Sequence, residues 1–142
     1  MKIDDIIRSK GSEVVTITAQ ASVAELTELL ARYNIGAVVV SADGSSVDGI
    51  VSERDVVRRL ATEGASVLTR AVAEIMSTPV VTCSREDAIE GTAHTMTYSR
   101  LRHLPVVEEG RLVAIVSLGD VVKHRIDQLT DERNHLLEYL HT

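Results

Sequence analysis

One phrase occurs twice in this chain and limits the folds open to it: Gly49-Ile-Val-Ser-Glu-Arg-Asp55 and Ala114-Ile-Val-Ser-Leu-Gly-Asp120, each followed by Val-Val. A β-branched run that ends in Ser-x-x-Asp and continues apolar reads as a buried strand feeding a helix. The serine then stands near the N-cap and the aspartate in the first turn. The same pattern is a capping box, which satisfies backbone donors and needs no ligand. One box is weak as a signal of a site. Two in matching frameworks point to a duplicated unit and to paired positions where a polar ligand can be held.

The surrounding elements repeat in the same order. In the first half, Val14 to Ile17 reads as a strand. Ser22 and Glu25 form a capping box that starts a helix with Val23, Leu26, Leu29, Leu30 and Tyr33 inward. Ile35 to Val40 and Val47 to Val51 make a hairpin around Asp43-Gly44, and a helix runs from Asp55 to about Thr62, ending at Gly64. In the second half Val80 to Cys83 is the strand, and a helix from Asp87 to about Tyr98 turns Ile89, Ala93 and Met96 inward. Leu104 to Glu108 and Leu112 to Val116 form the hairpin across Glu109-Gly110. Thr16 and Thr82, like Val23 and Ile89, are 66 positions apart, whereas Asp55 and Asp120 are 65 apart, so the second hairpin loop has lost one residue. β-α-β-β-α therefore occurs twice, and a repeated unit is usually half of a shared core.

Three segments flank or join the repeats. Lys2 to Lys10 reads as a short amphipathic helix with Ile3, Ile6 and Ile7 on one face, stopped by Gly11. Val67 to Met76 reads as a connecting amphipathic helix closed by Ser77-Thr-Pro79. The last helix is expected from Asp120 to about His141, with Val122, Ile126, Leu129, Arg133, Leu136 and Leu140 at heptad spacing. That seam either meets a partner or packs back on its own domain. The expected organisation is one module over 1–142, with repeat one at about 7–64, a linker helix at about 65–77, repeat two at about 78–126 and the extended helix at about 120–141.

Composition narrows the functional classes. With 142 residues, one compact domain is the expectation. Phe and Trp are absent and Tyr occurs three times, so Val, Ile, Leu and Ala must fill the core. A formal net charge of −6 argues against nucleic acid or an anionic membrane as partner and leaves any phosphate to local basic groups. The sole cysteine, Cys83, lies in a β-branched run and is expected as a buried thiol of a reducing compartment, not as a nucleophile. No apolar run reaches membrane-span length and the chain opens on acid, so a cytoplasmic location is expected. His94, His103, His124, His135 and His141 lack the spacing of a zinc site. Neither serine of the phrase has a triad-like histidine, and no Walker or dinucleotide glycine pattern occurs, so no metal and no enzyme are expected.

Two copies of strand, helix, hairpin and helix, with Leu101-Arg-His-Leu-Pro-Val-Val107 leading to Ala114-Ile-Val-Ser-Leu-Gly-Asp120, closely resemble the paired cystathionine-β-synthase (CBS) domain. The first copy, Ile35-Gly-Ala-Val-Val-Val40 to Gly49-Ile-Val-Ser-Glu-Arg-Asp55, is similar but plainer. The resemblance covers about residues 1–126 and implies an α/β (α+β) fold in which two pseudo-symmetric repeats pack sheet to sheet. It implies a regulatory module that binds adenine nucleotides or related adenosyl compounds in clefts between the repeats. AMP is the expected ligand, with ADP, ATP, NAD or S-adenosylmethionine as competitors. It implies a disc-like homodimer and no required cofactor.

The residues support a ligand of that kind. A carboxylate in the first helical turn can accept both hydroxyls of a ribose diol, and it repels phosphate, which must then lie on displaced basic groups. Arg54 and Arg58 follow the first motif; Arg102, His103, Lys123 and His124 surround the second. Carried over from the family, one cleft joins Ser117 and Asp120 with Thr16 and Ala37, and the other joins Ser52 and Asp55 with Thr82 and His103. Repeat one has Gly36, Ala37 and Val39 where repeat two has Arg102, His103 and Pro105, and Ala114 replaces the family's usual glycine, matched by Gly49. The two sites are therefore expected to differ. The alternative, from another class, is a ligand-free interaction module that regulates a separate enzyme or transporter through the Ile3/Ile6/Ile7 and Leu129/Leu136/Leu140 surfaces.

Overall fold

The computed structural model describes residues 1–141. In chain order its elements are α1 (Ile3–Lys10), β1 (Thr16–Ile17), α2 (Val23–Tyr33), β2 (Ala37–Val40), β3 (Gly49–Ser52) and α3 (Glu53–Glu63), followed by α4 (Ile89–Tyr98), β4 (His103–Glu108), β5 (Arg111–Ser117) and α5 (Leu118–His141). The chain divides into two compact units. One holds Val14–Val81 with Glu109–Val113; the other holds Met1–Glu13, Thr82–Glu108 and the chain from Ala114 onward. The mixed α/β fold with two copies of one unit is as the repeat predicts. No helix among the described residues is long and apolar enough to cross a membrane.

In the first repeat β1 pairs parallel with β2, and β2 pairs antiparallel with β3, in the register Thr16 to Val39, Ala37 to Ser52 and Val39 to Ile50. All four residues of β2 are buried, as expected of the central strand of a sheet covered on both faces. The core there is aliphatic throughout: Val23, Leu26 and Leu30 of α2 meet Val38, Val40, Val51, Val56, Val67, Val72 and Ile75. Tyr33, predicted inward, is 52% exposed instead. It is the last residue of α2, and Asn34 then leaves the helix through a left-handed conformation (φ 51°), so position 33 lies past the last turn that faces the sheet. In α4 the buried set is Ile89, Thr92 and Met96, with Ala93 only partly covered. Thr92 is tolerated inside because its hydroxyl donates to the Ala88 carbonyl at 3.0 Å.

The strand predicted at Val80 to Cys83 reduces to a single parallel bridge between Cys83 and Val106. Its two hydrogen bonds, Cys83 N to Pro105 O at 3.0 Å and Val107 N to Cys83 O at 2.9 Å, hold the chain beside β4 without extending a ladder. Cys83 is buried, and burial, with the Asp87 charge adding, pushes its thiol up to about 12. It is protonated at neutral pH, so iodoacetamide at pH 8 is expected to leave the folded protein unlabelled and to alkylate it only in denaturant. Rapid labelling of the native protein would contradict this environment.

The predicted linker helix is not one. Gly64–Thr69 and Val72–Glu74 are two short 3₁₀ turns, separated by Arg70 and Ala71 in extended conformation. Ser66 and Thr69 donate their hydroxyls to the carbonyls of Glu63 and Ser66, a local alternative to α-helical pairing. Val67 and Val72 still reach full burial, one from each turn.

The segments that precede the repeats follow a second duplication, one that the sequence reading passed over. Ala71 bridges Ser22 at the start of α2, and Lys2 bridges Ala88 at the start of α4. In each, a backbone N–H is taken by an acidic side chain three residues on: Lys2 N to Asp5 at 2.9 Å and Ala71 N to Glu74 at 3.0 Å. Ile3, Ile6 and Ile7 then correspond to Val72, Ile75 and Met76. Thus α1, first in the chain, completes the unit built on the second repeat. Its three isoleucines are at most 3% exposed, and ion pairs of Arg85 with Asp4 (2.8 Å) and Lys2 with Glu86 (2.7 Å) lie along the same contact.

Candidate functional site

Both copies of Ser-x-x-Asp close as reciprocal boxes. In the first, Ser52 N donates to Asp55 Oδ2 at 2.8 Å, Ser52 Oγ donates to the same oxygen at 3.0 Å, and Asp55 N donates back to Ser52 Oγ at 3.3 Å. In the second, Ser117 N donates to Asp120 Oδ2 at 2.9 Å and Asp120 N donates to Ser117 Oγ at 3.1 Å. The box uses one carboxylate oxygen in each case. The other oxygen, Oδ1, has no partner among the described residues, and both aspartates are only part-buried. A carboxylate oriented by its own backbone and open on one oxygen can take a further donor.

The segment before each hairpin is fastened to the same helix start. Glu53 N donates to Gly36 O at 2.9 Å, and Leu118 N donates to Arg102 O at 2.7 Å. These are equivalent bonds in the two repeats, and they fix Ala37 and His103, the next residues, against their own Ser-x-x-Asp turn. Ala37 lies directly opposite Ser52 in the ladder. Thr16 sits in β1 opposite Val39, Thr82 is exposed just before Cys83, Pro105 is buried in β4, and His103 opens that strand half-buried. Within the first unit the fold thus gathers Thr16, Ala37, Ser52 and Asp55; within the second it gathers Thr82, His103, Pro105, Ser117 and Asp120.

The basic candidates fall into two groups. Arg54 and Arg58 on α3, Arg102 before β4 and Lys123 on α5 are exposed, with no side-chain hydrogen bond or ion pair among the described residues. His124 is buried, and its Nδ1 lies 3.0 Å from the Asp120 carbonyl, so it serves the helix backbone. A cation that the sequence reading missed stands closest of all. Lys10 Nζ, at the end of α1, lies 2.7 Å from Asp120 Oδ2 and 3.1 Å from Ile115 O. No local motif marks it, because the contact spans 110 positions. Burial pushes the Asp120 carboxyl up, but the Lys10 and Ser117 hydrogen bonds and the Lys10 charge outweigh it, and the net pKa is lowered. A lowered folded value stabilises the fold above the unfolded pKa, and that contribution is lost as acid takes the pH down through the folded one.

An open depression of about 330 Å³ on the first unit is lined by Thr27, Leu30, Ala31, Ile35, Val56 and Val57 among others, and none of the predicted site residues borders it. Among the described residues no group of three or more His, Cys, Asp or Glu converges as metal ligands would.

Residues 3–62 and 72–127 match the family model of the CBS domain. The chain belongs to the CBS-domain family. Its two CBS copies coincide with the duplicated phrase and its framework. A solved CBS-domain protein of Agrobacterium tumefaciens, ATU1752, is 42% identical over 88% of this chain and 99% of its own, with a TM-score of 0.84. The CBS domain-containing protein YhcV of Bacillus subtilis is 30% identical, and the alignment spans 85% of this chain and 83% of YhcV. The CBS domain protein PAE2072 of Pyrobaculum aerophilum, solved in complex with AMP, is 26% identical over 84% of this chain and 89% of its own, with a TM-score of 0.74. The CBS pair also accounts for Gly49. A Cβ there would stand 2.6 Å from Met76 Sδ and 3.3 Å from Ser77 O, because Ser77 pairs with Ile50 at the sheet edge. In the second copy Ile115 O, the counterpart of Ile50 O, is met by the Lys10 side chain and not by a backbone N–H, and an alanine takes the glycine's place at 114.

Proposed function

We propose that this CBS pair is a non-enzymatic sensor of an adenine nucleotide or another adenosyl compound, with AMP as the first choice. The observation that carries the reading is the state of the two aspartates. Each is fixed by its box through Oδ2 and keeps Oδ1 for a donor, which is what a ribose diol supplies twice over. Exposed cations for a phosphate stand along the chain from them at Arg54, Arg58, Arg102 and Lys123. AMP in the related PAE2072 supports the ligand class. ADP, ATP, NAD and S-adenosylmethionine share the adenosine and compete. A ligand that binds only the folded state raises the unfolding midpoint. Thermal shift with this panel is therefore expected to give a concentration-dependent rise for at least one member, and a flat response to all would remove the reading.

A second reading, docking on a further protein or a second copy, is favoured by α5. Beyond His124 the helix buries no residue: Ile126 is 56% exposed, Leu129 47%, Leu136 65% and Leu140 75%. Over that stretch the seam has no covering surface from its own chain, which favours a partner over packing back. An exposed apolar stripe of this kind calls for a covering surface, and a homodimer is the simplest. Truncation after Arg125 is expected to keep the melt cooperative, with a lower midpoint that no longer depends on protein concentration, while the mass measured by light scattering falls to that of a single chain. An unchanged mass would place self-association elsewhere.

A further inference from the structure

We propose that Lys10 makes the Asp120 position selective for adenosyl ligands that carry an anionic tail, a selectivity the Asp55 position lacks; this rests on the adenosyl reading above. Three observations carry it. The first is the contact itself: the ammonium bonds Asp120 Oδ2 and Ile115 O, which uses two of its three donors and leaves one for a ligand atom. The second is that the fold sets the ammonium's position. Lys10 ends α1, whose Ile3, Ile6 and Ile7 are buried, and though the residue is exposed its ammonium is held by two acceptors of the second repeat. The third is the comparison between the two copies. Ile50, the counterpart of Ile115, gives its carbonyl to the backbone N–H of Ser77 at 2.8 Å, so no side-chain cation stands there. Asp55 is bonded by Ser52 alone and has no ion pair among the described residues.

The consequence is a difference in the cation held on each carboxylate: Lys10 is bonded to Asp120, whereas Arg54 and Arg58, which follow the first motif, are exposed and make no ion pair with Asp55 among the described residues. The Asp55 carboxylate carries its own charge unpaired and repels a phosphate close to the ribose it reads, so that a phosphate there must reach out to the displaced Arg54 or Arg58. Asp120 with Lys10 is neutral as a pair, and the spare ammonium donor is available to the first phosphate oxygen. A cationic tail, such as a sulfonium, is favoured at Asp55 and disfavoured beside Lys10.

The test reads the Asp120 position alone, in a chain carrying Asp55→Ala, by calorimetric titration with AMP and with adenosine. Lys10→Met is expected to weaken AMP about tenfold while leaving adenosine within about twofold, the factor that one hydrogen bond to a charged group carries. Lys10→Arg should restore most of the AMP affinity. Equal losses for both ligands would make Lys10 a latch of α1 on α5, and no change for either would make it a surface ion pair; both results overturn the inference and leave the adenosyl reading standing. Failure of the intact chain to bind AMP or adenosine, seen before Lys10 is changed, overturns this inference; the adenosyl reading falls with it only if ADP, ATP, NAD and S-adenosylmethionine fail as well.

Discussion

Replacing Asp55 and Asp120 together by alanine is expected to abolish adenosyl-ligand binding in a protein that still folds. Two magnitudes separate the effects. Each aspartate is the third-position partner of a serine cap, so its loss costs the helix no more than a whole cap, about 0.5–2 kcal/mol. For a ribose, each supplies up to two charge-assisted hydrogen bonds, together about 3–6 kcal/mol, which is a loss of roughly 10² to 10⁴ in affinity at each site. Binding therefore disappears from a micromolar titration while the circular dichroism spectrum and the cooperative melt persist. Unchanged affinity in the double variant would show that Oδ1 has no ligand to read and that the two phrases are helix caps only.

The largest effect on stability is expected at Ile6. Its side chain is fully buried, on a helix that reaches the second repeat from the far end of the chain. Ile6→Ala should cost about 2–5 kcal/mol, the lost transfer energy plus the cavity left in a packed aliphatic core. Urea unfolding reads this directly, with a lower midpoint at an unchanged slope. A cost below about 1 kcal/mol would mean that α1 covers the second unit without being part of its core.

The repeated phrase made the fold legible because both copies obey the same local chemistry: a buried strand, a serine cap and an aspartate at the third helical position. Those rules are written in consecutive residues, and the boxes at Ser22, Ser52 and Ser117 all form where their spacing places them. Contacts made across the chain were less visible. Val67 and Val72 have helical company in sequence, yet Ser66, Thr69 and the extended Arg70-Ala71 break the segment into two turns, and only the bridge from Ala71 to Ser22 explains why. The relation between Ile3-x-x-Ile6-Ile7 and Val72-x-x-Ile75-Met76 runs at a different spacing from the rest of the repeat, so the period of 66 does not reveal it.

The asymmetry between the two positions was legible in part. Arg102, His103 and Pro105 against Gly36, Ala37 and Val39 marks the second copy as the more polar. Lys10 could not be read from that comparison, since its part in the second turn depends on α1 crossing 110 positions to reach Asp120. Local sequence therefore identifies the carboxylates that would read a ribose, and tertiary structure decides the charge each one presents beside it.

Calorimetric titration of the intact chain with AMP, ADP, ATP, NAD and S-adenosylmethionine tests the central claim most directly. Saturable heat with at least one adenosyl ligand, lost in the Asp55→Ala, Asp120→Ala variant, is the predicted result. No heat with any of the five, from a protein whose melt is cooperative, would contradict it.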